Sequence, residues 1–284
     1  MPLIEGLRCV RLGLKDPAAA CDYVSRVLGL ERIAAPDGLA MFRSDYRDHT
    51  LVIVPGADEI LALELRDLET LESLTAKLVA AGYNVSAGDA TACAQRRCKA
   101  FVSFQVRKGH RIELVVRPQN SGWRFHGARD SGIVGFHGVA FATTDITADI
   151  RLWTVLLGGK VSDYLGEAAY IKLDDQHHRI ALHPSNRDGI LEVQYAVESM
   201  DQLMQNRYFL ESLQVPIVHG PGRRPASEQL FLTFKGPGSQ LFGFVSEGSN
   251  RPFSADILPR QFPRNQNSYC AWGSQSTVPE FAES

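Results

Sequence analysis

The stretch Gly135-Phe136-His137-Gly138-Val139-Ala140-Phe141-Ala142-Thr143-Thr144-Asp145 decides the fold, because an earlier one answers it: Gly6-Leu7-Arg8-Cys9-Val10-Arg11-Leu12-Gly13-Leu14-Lys15-Asp16. Both are apolar-rich runs that close on Asp. Both lead into an amphipathic helix ending in Leu-Gly, at Leu28-Gly29 and Leu157-Gly158. The two motifs lie 129 residues apart, and the offset persists: His49 maps to His178, Pro55 to Pro184, Phe104 to Thr233 and Glu113 to Phe242. One offset held over most of a half-chain marks an internal duplication. The domains are read as 1–128 and 129–250, with a tail over 251–284.

Each half divides again. In the first, strands at 7–14, 38–43 and 50–55 with a helix at 17–28 precede strands at 60–66, 100–105 and 111–116 with a helix at 68–81. The helices follow from apolar spacing and Gly stops, the strands from β-branched runs such as Leu51-Val52-Ile53-Val54. Asp16-Pro17 is a helix start, with Asp as the cap and Pro in the first turn. The second half repeats the order, with strands near 135–143, 168–173, 178–183, 190–197, 229–235 and 240–245 and helices near 147–157 and 199–213. The expectation is an α+β chain of two tandem domains. Each consists of two β-α-β-β-β modules whose curved mixed sheet surrounds a central cavity, and such cavities commonly hold a ligand.

Composition excludes other classes. The 284 residues are 44% hydrophobic and 22% charged, with 30 Lys+Arg against 32 Asp+Glu. That balance gives no electrostatic case for a nucleic-acid or membrane partner. No stretch reaches the roughly 18 apolar residues of a membrane helix. Met1-Pro2-Leu3-Ile4-Glu5-Gly6 does not read as a signal peptide. Five scattered cysteines fit reduced thiols in a cytoplasmic protein.

Order and spacing along nearly the whole chain resemble the vicinal oxygen chelate superfamily. Within it the resemblance is to two-domain extradiol dioxygenases of the 2,3-dihydroxybiphenyl or 1,2-dihydroxynaphthalene type. It is carried by Asp16 through Leu28-Gly29, by Ala90–Lys99 with Arg96-Arg97, by His177-His178-Arg179-Ile180-Ala181-Leu182, and by Ala271-Trp272-Gly273. It implies an aromatic or ring-derived substrate, self-association into a homo-oligomer, a tail packed near the cavity mouth, and an Fe(II) site of two His and one carboxylate in the second domain. The three ligand positions it implies fall on Gly138, Glu192 and Phe242. All three depart from the pattern, with Glu192 standing where the family has a His. Strand alternation turns His137 away from the cavity unless a one-residue bulge intervenes. By the 129 offset the first-domain equivalents are Cys9, Leu63 and Glu113, which make no metal triad. The expectation is therefore that no metal is bound and no cofactor is used, with Fe(II) as the alternative.

His178 matches the acid/base His of that family, and imidazole is suited to proton transfer near neutral pH. Glu192, in an apolar strand, reads as a second acid/base or substrate anchor, or else as the ion-pair partner of Arg224 or His178. Arg224, behind Gly220-Pro221-Gly222, suits a bound carboxylate, phenolate or enolate, or is a solvated loop charge. Thr233 and Phe242 take family substrate-contact and metal positions and are read as substrate-binding. His183, His219 and Cys270 are read as structural or exposed. The first functional reading is metal-independent acid/base chemistry (hydrolysis, decarboxylation or isomerisation) by His178 and Glu192, with Arg224, Thr233 and Phe242 holding the substrate. The alternatives are an Fe(II)-dependent extradiol dioxygenase with unusual ligands and a non-catalytic protein that binds an aromatic compound.

Overall fold

The computed structural model describes residues 2–107 and 109–282. The architecture is mixed α+β, with two large mixed sheets in two compact units. One unit comprises residues 1–129 with 155–158, the other 130–154 with 159–284.

The N-terminal unit contains β1 (Ile4–Leu14), α1 (Pro17–Tyr23), β2 (Glu31–Ile33), β3 (Ala40–Arg43), β4 (Leu51–Pro55), β5 (Glu59–Leu65), α2 (Leu68–Ala80), β6 (Val85–Ala87), α3 (Ala90–Arg96), β7 (Cys98–Arg107) and β8 (His110–Pro118). Its sheet order is β2-β3-β4-β1-β5-β8-β7-β6. The C-terminal unit contains β9 (Ile133–Thr143), α4 (Ile146–Arg151), β10 (Lys160–Leu165), β11 (Ala168–Lys172), β12 (Ile180–Pro184), β13 (Gly189–Val197), α5 (Met200–Ser212), β14 (Ile217–Arg223), β15 (Leu230–Lys235), β16 (Leu241–Ser246), β17 (Arg260–Phe262) and α6 (Gln266–Tyr269). Its order is β14-β15-β16-β13-β9-β12-β11-β10-β17. The tail thus supplies an edge strand, β17 running parallel to β10.

The duplication is visible atom by atom. Asp16 accepts a hydrogen bond from the Ala19 amide at 3.0 Å, and Asp145 from the Ala148 amide at 3.0 Å, satisfying donors at each helix start. Both helices continue through a wider π turn and stop at a left-handed glycine or just before one: Gly29 has φ +84° and Gly158 φ +77°. Both long first strands also carry a bulge at the same place. In β1 the register passes from Leu7↔Leu63 to Cys9↔Ala62, leaving Arg8 over. In β9 it passes from Phe136↔Tyr195 to Gly138↔Gln194, leaving His137 over. Arg8 and His137 are 129 residues apart.

The sheets are held by apolar side chains on the side facing away from the cavities. Val10, Leu12, Leu63 and Leu114 are fully buried in the first unit, and Val193, Tyr195, Phe234, Phe242 and Phe244 in the second. Each such side chain contributes about 1.5–3 kcal/mol relative to exposure. Several short elements lie outside the sequence-based expectation: β2, β6, α3, β10, β14 and the tail's β17 and α6. Among the described residues no helix is long and apolar enough to cross a membrane.

Candidate functional site

The site is built on the three central strands β9, β13 and β16. Along β13 the pleat sends Val193 and Tyr195 to one face and Glu192 and Gln194 to the other. Tyr195 stacks on Phe242, ring centroids 6.5 Å apart. Phe242 therefore belongs to the apolar face, and the expectation that it lines the cavity is corrected. The residue of β16 beside Glu192 is Gly243. A Cβ there would lie 2.4 Å from Glu192 Oε1, so the carboxylate rests over a glycine because that glycine has no side chain. Gly138 is a second gap, where a Cβ would lie 3.3 Å from Gln194 Oε1.

Glu192 is only 1% exposed and has several partners. Thr233 Oγ1 donates to Oε1 at 2.6 Å, Gln194 Nε2 donates to Oε2 at 2.6 Å, and Arg224 Nη2 lies 3.6 Å from Oε2. Burying a carboxylate demands such compensation. Thr233 is fully buried, and its hydroxyl holds Glu192 rather than a ligand. Arg224 is not a solvated loop charge. Its Nη1 donates to Gln229 Oε1 at 2.6 Å, and its guanidinium lies 4.4 Å from the Phe231 ring centre.

His178 lies just before β12 and is 3% exposed. Its Nδ1 is 3.0 Å from Nδ1 of His177, and His177 Nε2 is 2.8 Å from Asp163 Oδ2. Asp163 is gripped in turn by Arg260 of β17, at 2.6 Å through Nη2 and 3.0 Å through Nε. Burial pushes the Asp163 carboxyl up, but the bonds from His177 and Arg260 outweigh it and leave it at about 2. An ionised carboxylate accepts only. His177 therefore donates from Nε2 to Asp163, and as a neutral imidazole it accepts at Nδ1 from His178 Nδ1. The lone pair of His178 Nε2 is left without a hydrogen-bond partner. Burial, then the nearby His177 and Arg224, holds His178 well below the usual imidazole range. The result is a neutral imidazole with an open basic nitrogen.

That nitrogen belongs to a tight pocket lined by Tyr170, His178, His183, Glu192, Gln194, His219, Arg224, Tyr269 and Phe281, with Ala140 and Ala181. Its volume is about 10 Å³, the space of about one water. His183 and His219 are buried in its wall, so of the two readings, structural or exposed, exposure is ruled out. His183 Nδ1 and His219 Nε2 are also without partners. Burial first, then Arg224, pushes them down to about 3 and about 4. Burial likewise raises the Tyr170 hydroxyl to about 12. Asp163, His177, Arg260, Tyr269 and Phe281 escaped sequence reasoning. The adjacent His177-His178 pair was the one available signal.

The bulge does bring His137 to the His178 side, with ring centroids 6.4 Å apart. Its Nε2 is nonetheless committed. Gln229, whose oxygen receives Arg224, turns its amide nitrogen to His137 Nε2 at 2.8 Å. Burial, then Arg179 and Arg224, pushes His137 down to about 3. Among the described residues no group of three or more His, Cys, Asp and Glu is arranged to hold a metal ion. With Gly138 and Gly243 bare, His137 occupied and Glu192 saturated, these residues do not fit a two-His, one-carboxylate ion site.

No family model matches the chain. The chain is 26% identical over 200 residues to a biphenyl-2,3-diol 1,2-dioxygenase of Pseudomonas sp. (strain KKS102), covering 63% of this chain and 67% of that protein. It is 24% identical over 197 residues to the enzyme of the same name from Paraburkholderia xenovorans (strain LB400), covering 63% and 66%. The match thus spans about two thirds of these relatives' length. Among solved structures, a Mn(II)-bound glyoxalase from Novosphingobium aromaticivorans superposes with TM-score 0.88 at 23% identity over 99% of this chain and 95% of that one. A halotolerant catechol dioxygenase superposes with TM-score 0.87 at 18% identity over 99% and 98%. The chain has the two-domain vicinal oxygen chelate fold of extradiol dioxygenases. The expectation that no cofactor is used is overturned by this comparison, since the matching structures include a Mn(II)-bound protein and several catechol dioxygenases.

Proposed function

We propose that the C-terminal domain takes a small aromatic diol and acts on it in the manner of the extradiol dioxygenases whose fold it has, rather than by hydrolysis, decarboxylation or isomerisation. The observation that carries this reading is the open, deprotonated Nε2 of His178 in the same pocket as Arg224. A ring hydroxyl at that nitrogen gives up its proton to an imidazole whose tautomer is already set. The phenolate that forms is held by Arg224, whose guanidinium sits at 3.6 Å from Glu192 and is free to tighten on a nearer anion. Thr233 and Gln194 keep Glu192 in place, so Glu192 balances the charge of Arg224 while the substrate is neutral. Tyr269 and Phe281 must swing aside to admit a ring, because the pocket as it stands has room for about one water. No step through a metal ion follows from these residues. That mismatch favours, as the second reading, a site that binds the diol without cleaving it. A cytoplasmic setting suits the five free cysteines.

The test is calorimetry with 2,3-dihydroxybiphenyl and catechol, followed by oxygen uptake under air with and without added Fe(II) or Mn(II). Binding that weakens strongly in His178→Ala, together with oxygen uptake on the same diol, supports the enzyme reading. Binding without uptake under every metal condition selects the binding reading. Failure of both diols to bind at millimolar concentration refutes both.

A further inference from the structure

The N-terminal domain has a cavity of its own, and its polar residues differ from those of its twin. Where the second domain has Gly138 just after its bulged residue and His178 just before β12, the first has Cys9 and His49 at the same offset. The cavity is lined by Arg8, Cys9, Arg11, His49, Arg96 and Glu113 around a small apolar floor, and at about 10 Å³ it has the space of about one water, so it must widen around the half-exposed Cys9 and Arg11 to admit anything larger. Asp48 Oδ2 lies 3.0 Å from His49 Nδ1, and Arg97 holds Asp48 at 2.8 Å. With Nδ1 engaged by Asp48, His49 keeps Nε2 for the cavity, whose wall it shares with the Cys9 side chain. Burial opposes a charge on His49, but the bonds from Asp48 and Cys9 outweigh it and push it up to about 9. A nucleophile, its base and a carboxylate that orients the base stand in line.

The cavity is also cationic beyond what its carboxylates answer. Arg96 is paired with Glu113 at 2.6 Å, and Arg8 lies 3.7 Å from Glu64. Arg11 makes no ion pair among the described residues. Arg8 is 2% exposed, and its Nε–H is left without an acceptor. A buried donor with no partner and an unpaired guanidinium beside a sulfur call for a ligand that brings negative charge.

We propose that Cys9, with His49 as its base and Asp48 as the orienting carboxylate, is a second reactive site that takes a small carboxylate-bearing electrophile. The thiol proton goes to His49 Nε2, and the sulfur forms a bond to the electrophilic carbon. The leaving group departs with the electron pair, while Arg11 and Arg8 hold the carboxylate. The other cysteines lack this arrangement. Burial pushes Cys98 up to about 12 and raises Cys21, Cys270 is fully buried, and Cys93 bonds the Gly88 carbonyl, with no imidazole bonded to it among the described residues.

The experiment uses the full chain and iodoacetate against iodoacetamide, two probes that share a leaving group and differ in charge. Alkylation at each of the five cysteines is followed in time by peptide mass spectrometry. Cys9 is expected to react first, with an iodoacetate-to-iodoacetamide rate ratio at least about ten times that of Cys93 in the same molecules. His49→Gln is expected to slow Cys9 on the order of 100-fold without changing Cys93. Arg11→Gln, at a half-exposed position, is expected to erase the preference for iodoacetate while sparing the iodoacetamide rate. Reaction of Cys9 no faster than Cys93, an equal reagent ratio at both, or an unchanged preference in Arg11→Gln overturns the proposal.

Discussion

Replacing Asp163 by Asn keeps the shape of the relay and reverses its polarity. In the native chain Oδ1 receives the Arg260 amide at 2.8 Å and its Nε at 3.0 Å, while Oδ2 receives His177 and Arg260 Nη2. In Asp163→Asn the amide oxygen keeps the first pair of bonds, and the NH2 group faces His177 Nε2. That nitrogen must then accept, so the His177 proton moves to Nδ1 and is donated to His178 Nδ1. The His178 proton is driven onto Nε2, and the open lone pair in the pocket disappears. Losing a positioned base costs between about 10² and 10⁴ in rate, and the lost charged hydrogen bonds cost about 2–4 kcal/mol in stability. Nitrogen-15 NMR of the imidazole rings reads the tautomer directly, without any substrate. His178 should show a protonated Nδ1 in the native chain and a protonated Nε2 in Asp163→Asn. Arg260→Gln, which leaves the carboxylate, should keep the native tautomer. The same His178 tautomer in the native and Asp163→Asn proteins refutes the relay.

Gly243→Ala places a Cβ where Glu192 Oε1 lies and should lower stability by about 1–3 kcal/mol. Gly6→Ala, with open space around it, should shift the urea midpoint by less than a quarter as much, and equal shifts refute the packing argument. Phe281→Ala enlarges the pocket and should tighten binding of an aromatic diol in calorimetry. Weaker binding makes Phe281 part of the ligand's own contact surface. His137, His183 and His219 are held at about 3, 3 and 4, against about 6.5 in an unfolded chain. The unfolded state binds their protons first, so this contribution is complete above pH 6.5 and is lost as pH falls toward 4. The loss approaches 4 kcal/mol per pH unit from the three together. Urea midpoints at pH 7.5, 6 and 5 should fall accordingly, and a flat profile refutes it.

The fold was legible because its signals are redundant. The 129-residue offset, the capping Asp16 and Asp145 and the apolar strands all point to one duplicated design. The elements that escaped are short or at sheet edges. β10 reads Lys160-Val161-Ser162-Asp163-Tyr164-Leu165, too polar to announce a strand, and with it went the place of Asp163. Phe242 was assigned to the cavity by alignment of positions, yet side-chain direction alternates at every residue of a strand, and one step separates it from Gly243. His137 shows the same sensitivity, since a single extra residue in β9 turned it toward His178. His183 and His219 carry no local mark that separates a pocket wall from a packed interior. The partners of Glu192 come from β13, β15 and the segment after β14, and only folding brings them together.

The last stretch of chain supplies Arg260, the far end of the relay, and Tyr269 and Phe281, two walls of the pocket. A ribosome makes the chain from the other end, and every strand through β16 can be paired before these residues emerge. The chemistry of the site therefore waits on residues made after the central strands β9, β13 and β16. Without residues 260–281, His178 loses the far anchor of its tautomer and the pocket loses two walls.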